Sequence, residues 1–182
     1  MKKLFAAVFL SLLSLTAAAE RADSLKPAVV EYDSADVDGI TGVRTLTGNV
    51  VLTRGTLLLK ADRALVKETP EGYMSVTLTA NGGKLTTFRQ KRDGGPNLWV
   101  EGQAQRIEYD ERSELVRLYS NALVKELEND RMTNQITGPF ISYDNRKEVA
   151  TVRNDVSGQS KIGGGRGTLI LSPKRPASGD AQ

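Results

Sequence analysis

Three pairs of carboxylates stand two residues apart: Asp36 and Asp38, Glu108 and Asp110, Glu126 and Glu128. On an extended strand that spacing puts both members on one face, and two carboxylates flanking a cleft are the acid and nucleophile of glycoside hydrolysis. Such an acid needs burial to raise its pKa. These pairs fall on the polar side of their strands, so we assign no catalytic residue. The chain has no histidine and no cysteine, which removes imidazole acid–base chemistry, thiol nucleophiles and the usual nitrogen and sulfur metal ligands. No metal and no cofactor is expected. The string "GGGRG", Gly163 to Gly167, lacks the lysine and hydroxyl residue of a phosphate loop and opens no helix, so it reads as a turn. Trp99 and the tyrosines could stack on sugars, but aromatics are only 5% of the chain and core packing accounts for Tyr109 and Tyr143 equally well.

With chemistry scarce, the pattern of the surrounding segments carries the information. From Thr45 to Thr53 the even positions are Leu46, Gly48, Val50 and Leu52, and the odd ones are mostly polar. This is a strand with one dry face and one wet face. Arg54-Gly55 supplies a turn, and Leu57 and Leu59 begin the next strand. After Asp62 the apolar set moves to Ala64 and Val66, which requires a bend or bulge there, since a slip of one residue exchanges the faces. Met74, Val76 and Leu78 continue the alternation, and Asn81-Gly82-Gly83 reads as a hairpin turn. Phe88, Val100, Ile107, Tyr109, Leu118 and Val124 follow at strand spacing. The whole predicts an antiparallel all-β fold.

A repeat supports this. "IEYDERSELVRL", Ile107 to Leu118, lies over "ISYDNRKEVATV", Ile141 to Val152. "VRTLTGNVV" from Val43 also resembles "VRLYSNALV" from Val116. Each unit reads strand, polar turn, strand, so that neighbours cover one another's apolar faces. "TLILS", Thr168 to Ser172, offers a last strand, and the tail from Pro173 has no large apolar side chain and reads as disordered.

Lys2-Lys3, the apolar run Leu4 to Leu15 and Ala17-Ala18-Ala19 form the three parts of a secretory signal peptide. Cleavage after Ala19 leaves one domain over residues 20–172. The formal charge of +3 includes the two signal lysines and gives no reason to expect nucleic acid as a partner. An exported chain without cysteine must draw its stability from packing and ladder hydrogen bonds.

The run "LTGNVVLTRGTLLLKADRALV", followed in order by "VEGQAQRIEYD" and "NALVKE…ITGPFISYD", resembles the signature of the OstA-like family of periplasmic lipopolysaccharide transport proteins. The likeness extends from Leu25 to about Val156. Two departures occur in the second repeat, where Pro139 stands in place of an aspartate and Ser120 in place of a glycine. The proline removes a backbone donor and predicts a solvent-facing strand start or a bulge.

That resemblance implies an antiparallel, twisted β-jellyroll open at both ends and a non-enzymatic role in the periplasm. It implies a groove for the acyl chains of lipid A, lined by the inward set Ala28, Val30, Val50, Leu52, Leu57, Leu59, Val66, Phe88, Tyr109, Leu118 and Val124. Alternation alone favours a closed core, and the resemblance reverses that preference. The segment Pro27, Ala28, Val29, Val30, Glu31 and Tyr32 would be an edge strand for an inner-membrane LptC-type partner. The C-terminal strand would meet an outer-membrane LptD-type partner, and either edge another copy, head to tail. Lys60, Arg63, Arg106 and Arg117 are candidates for phosphate contacts at the groove rim. The rivals are a carbohydrate-binding β-sandwich, an LptC-like anchored subunit, and an outer-membrane barrel, which the polar alternate positions and few aromatics disfavour.

Overall fold

The computed structural model describes Asp23, residues 26–95 and residues 97–173. The expected signal peptide and the tail beyond Pro173 lie outside the described residues. Among the described residues twelve strands are formed: β1 Val29–Glu31, β2 Ser34–Val37, β3 Val43–Arg54, β4 Leu57–Glu68, β5 Met74–Thr79 and β6 Thr86–Lys91, then β7 Leu98–Ala104, β8 Arg106–Asp110, β9 Leu115–Glu128, β10 Arg131–Asp144, β11 Val149–Arg153 and β12 Thr168–Leu171. Every pairing is antiparallel. No helix among the described residues is long and apolar enough to cross a membrane.

Four strands, β3, β4, β9 and β10, are each twelve or fourteen residues long and bend midway, so that one continuous sheet folds over on itself. The first layer runs β2, the start of β3, the end of β4, β5, β8, the start of β9, the end of β10, and β11. The second runs β1, the end of β3, the start of β4, β6, β7, the end of β9, the start of β10, and β12. The layers face each other: Phe88 of the second lies 6.3 Å from Tyr143 of the first, centroid to centroid. This is an antiparallel β-jellyroll whose sheet does not close, with β1 and β2 at one end and β11 and β12 at the other.

The bends are β-bulges of one design. Gly48 and Asn49 of β3 together oppose Asp62 of β4, and Ser120 and Asn121 of β9 together oppose Pro139 of β10. All four doubled residues have positive φ, from 46° to 81°, the region where glycine and asparagine are least penalised. The bend expected near Asp62 is therefore present, and Ala64 and Val66 beyond it are buried. Pro139 occupies the single-residue side of the second bulge, in mid-strand rather than at a strand start. There its missing N–H breaks no regular ladder position.

The β3–β4 bend is stitched where the chain crosses between layers. Asp33, between β1 and β2, accepts the Asn49 side-chain amide at 2.9 Å. Asp62 accepts the Asn81 backbone N–H at 2.8 Å, and that hydrogen bond holds its carboxyl below the usual range. The expected hairpin at Asn81-Gly82-Gly83 is not formed. β5 and β6 do not pair with each other; both pair with β4, one on each side of its bend. The glycines make the turn, with φ of 61° and 78°, but the turn carries the chain from one layer to the other.

The internal repeat is also structural. Asp110 accepts the Ser113 N–H at 2.8 Å and Asp144 the Lys147 N–H at 3.1 Å. Glu114 and Glu148 follow at φ 53° and 51°. Thus β8–β9 and β10–β11 are the same hairpin built twice.

Candidate functional site

Period-two alternation delivers one apolar side chain in two to the space between the layers. Val50, Leu52, Leu57, Leu59, Val66, Phe88, Tyr109, Leu118 and Val124 are all buried there, none more than 5% exposed. Ala28 and Val30 are half-buried, because β1 has a strand neighbour on one side only. The lining therefore spans the sheet from β1 through β9. It continues through Ile141 and Tyr143 of β10, with Ile136 and Val152 packed against it.

The layers meet closely. Burying one such side chain contributes about 1.5–3 kcal/mol, so the packed interior is a substantial part of the fold's stability. Two concavities are small and mixed in lining. One, of about 270 Å³, lies among outward residues of the first layer, including Lys67, Thr77, Glu108, Asp110 and Arg117. The other, of about 10 Å³, sits between the layers at Arg54, Leu57, Gln90, Tyr109 and Asn145.

The second concavity marks a feature that reading by alternation missed. On the side away from the bends the layers meet through polar side chains. Arg54, ending β3 in the second layer, pairs with Glu111 in the β8–β9 turn of the first, with side chains 10% and 13% exposed. Gln90 of β6 accepts a hydrogen bond from the Asn145 side-chain amide at 2.6 Å, both residues buried. Arg92, just after β6, meets Glu148 of the β10–β11 turn at 2.6 Å, and Glu148 also accepts the Asp93 N–H at 3.0 Å. Leaving one partner of a buried pair without the other costs about 3–5 kcal/mol. Tyr109, beside Arg54, has its hydroxyl pushed up to about 12 by burial, with Arg54 opposing and Glu111 and Glu114 adding to the rise. A signal for this row was available: Arg54 and Gln90 hold the inward parity of their strands, following Val50 and Leu52 and following Thr86 and Phe88.

Lys60, Arg63 and Arg106 are exposed and Arg117 half-buried, each alternating with buried neighbours. They stand on the outer faces and not at a rim, because the parity that makes Leu59, Ala64, Ile107 and Leu118 inward makes these outward. Arg106 lies over the Tyr119 ring at 3.9 Å. The carboxylate pairs have structural partners: Asp38 accepts the Ile40 and Thr41 N–H groups, Glu108 the Tyr119 hydroxyl, and Glu126 the Asn134 amide. Among the described residues no group of acidic side chains is arranged to hold a metal ion.

The edge segment splits in two. Val29–Glu31 is β1, paired with Val51–Thr53 of β3, and its other side has no strand neighbour among the described residues. Pro27 and Tyr32 flank it, exposed. Val29 is 58% exposed, and Leu169 and Leu171 of β12 at the far end are 58% and 67% exposed.

Residues 29–149 match the model of a family described as LptA/(LptD N-terminal domain) LPS transport protein. The chain is 29% identical over 164 residues to the lipopolysaccharide export system protein LptA of Haemophilus influenzae, covering 90% of this chain and 87% of that one. It is 32% identical over 124 residues to LptA of Escherichia coli strain K12, covering 68% and 65% respectively. The crystal structure of LptH, described as the LptA-homologous periplasmic component of the lipopolysaccharide transport device of Pseudomonas aeruginosa, superposes with a TM-score of 0.70. It has 24% identity and the match covers 83% of this chain and 99% of that one.

Proposed function

This chain belongs to the LptA/LptD N-terminal family of lipopolysaccharide transport proteins, and from that premise we propose that it is a periplasmic bridge that holds the acyl chains of lipid A between its two layers and passes them to the next protein. The single observation that supports this most is the apolar lining that runs without interruption from the β1 edge to the β10–β11 edge. Each CH₂ kept from water is worth about 0.8 kcal/mol, so one twelve-carbon chain crossing an aqueous space unaided would face a barrier of about 10 kcal/mol. A lining that stays apolar from edge to edge removes that barrier at every point of the passage. The layers must part to admit chains, and the outer faces, rich in Thr, Lys and Arg, stay in water.

In this reading residues 1–19 are a cleaved signal and the mature domain covers residues 20–172. The free edge of β1, with Pro27 to Tyr32, receives an inner-membrane LptC-type protein by β-augmentation. The β11 and β12 edge meets an outer-membrane LptD-type protein, and either edge meets a second copy. No catalytic step is needed.

The test is a photo-crosslinking residue at Leu52 or Phe88, with outward Thr53 as control. Capture of lipopolysaccharide at the two inward positions and not at Thr53 is the expected result; equal capture at all three removes the groove. A carbohydrate-binding sandwich would instead bind sugar lacking acyl chains and lose it on substitution of Trp99.

A further inference from the structure

Away from the bends, the polar contacts between the layers form a single row. On the bend side the layers are joined by continuous backbone through Gly48-Asn49, Asp62, Ser120-Asn121 and Pro139. On the opposite side they meet through polar side-chain pairs: Arg54 with Glu111, Gln90 with Asn145, and Arg92 with Glu148. In each pair one partner belongs to the second layer and the other to a turn of the first. We infer that this row is a clasp along the rim, and that releasing it lets the layers swing apart about the line of bulges and admits apolar chains from the side.

Three observations carry this. The partners join different layers, so the row resists separation of the layers, while Glu111 also accepts the Met74 N–H of its own layer and Arg92 also meets Glu126 of its own at 3.5 Å. The contacts are polar at a place where strand parity would otherwise put apolar side chains: Arg54 continues the inward series of Val50 and Leu52, and Gln90 that of Thr86 and Phe88. An apolar rim would have to expose oily surface to open. A polar rim returns each charge and amide to water as it opens, and regained hydration offsets most of the lost pairing. The rim is also incompletely filled, since the buried Asn145 Oδ1 has no hydrogen-bond partner and lines the void of about 10 Å³ beside Arg54, about the space of a single water molecule.

The inference rests on the proposed function only in naming acyl chains as what enters; the clasp itself is tested without lipid. The protein has no cysteine, so single reporters can be placed cleanly. Val76→Cys lies inside near the rim, two residues from Met74, whose N–H bonds Glu111. Ala104→Cys lies inside near the bends, beside Gln105, whose N–H bonds the bulge residue Ser120. The labelling rate of each by a small maleimide is compared with and without Glu111→Gln/Glu148→Gln. Labelling at Val76→Cys is expected to rise on the order of tenfold or more while Ala104→Cys keeps its rate, as local opening does and global unfolding does not. An equal rise at both reporters, or none at either, overturns the clasp. If the double substitution does not fold, Glu148→Gln alone, at the more exposed pair, is read by the same criteria. A rise confined to the rim reporter together with no lipid capture at Leu52 would leave the clasp standing and remove the transport reading.

Discussion

The Phe88 ring lies across Gly102, its direct partner in the β6–β7 ladder, and occupies the space a Cβ there would need. The same absent Cβ would also touch Leu118 of the other layer at 3.0 Å. The glycine is thus a socket for an aromatic ring at the centre of the interior. Gly102→Ala must push the ring off its seat, and overpacking of this kind costs about 1–3 kcal/mol. Denaturant unfolding should show a lower midpoint with an unchanged slope, and an unchanged midpoint would mean that the ring has room to move.

The bulge at Asn49 carries a backbone constraint and a side-chain bond to Asp33. Asn49→Ala loses both, and about 1 kcal/mol of stability with them. Asn49→Gly should lose less, because it keeps the backbone freedom and forfeits only the bond. A double-mutant cycle with Asp33→Ala separates the two contributions. If alanine and glycine at position 49 are equally costly, positive φ is not what the bulge requires.

Tyr109 predicts a dependence on alkaline pH. Its hydroxyl titrates at about 12 in the folded protein and near 10 in an unfolded chain. Between those values the unfolded chain gives up this proton while the folded one keeps it, so stability falls as pH rises. The contribution is whole below about pH 10 and gone above about pH 12, amounting to about 3 kcal/mol. Unfolding midpoints of the parent and Tyr109→Phe should diverge through that window, since the lysines titrate alike in both. Parallel curves would show that burial does not govern this hydroxyl.

The β1 edge makes a prediction about assembly. Successive residues of an edge strand direct their backbone groups alternately to the neighbour and away from it, so one of Val29→Pro and Val30→Pro removes a free outward N–H and the other an internal ladder bond. If copies join by this edge, the outward substitution abolishes concentration-dependent growth in sedimentation while leaving the monomer's unfolding midpoint nearly unchanged. Growth that survives both prolines would place self-association elsewhere.

Much of this fold was legible because period two is a strong signal when a face is buried. Val50, Leu52, Leu57, Leu59 and Phe88 point inward as alternation requires, and the parity change between Leu59 and Ala64 located a bend to within a residue or two. The doubled Tyr-Asp turn also emerged from spacing alone. Asn81-Gly82-Gly83 misled because turn chemistry is local: it says that the chain reverses, not which strand it joins next. The rim was missed for a related reason. Glu111, Asn145 and Glu148 sit in turns, where charge normally means solvent, and nothing local to a turn reveals that a second layer lies over it. Only Arg54 and Gln90, polar on an otherwise dry parity, broke the pattern from within.

One feature of the architecture bears on growth beyond a single copy. Each layer crosses an even number of antiparallel segments, eight from β2 to β11 and eight from β1 to β12. The outermost segments of a layer consequently run in opposite directions, and a copy added by simple screw translation brings its first segment alongside the last with polarity still alternating. Odd arithmetic would have forced each junction to be parallel or each newcomer to arrive upside down. A fibre built from this unit can keep both walls, and the seam between them, in unbroken register of direction over any length.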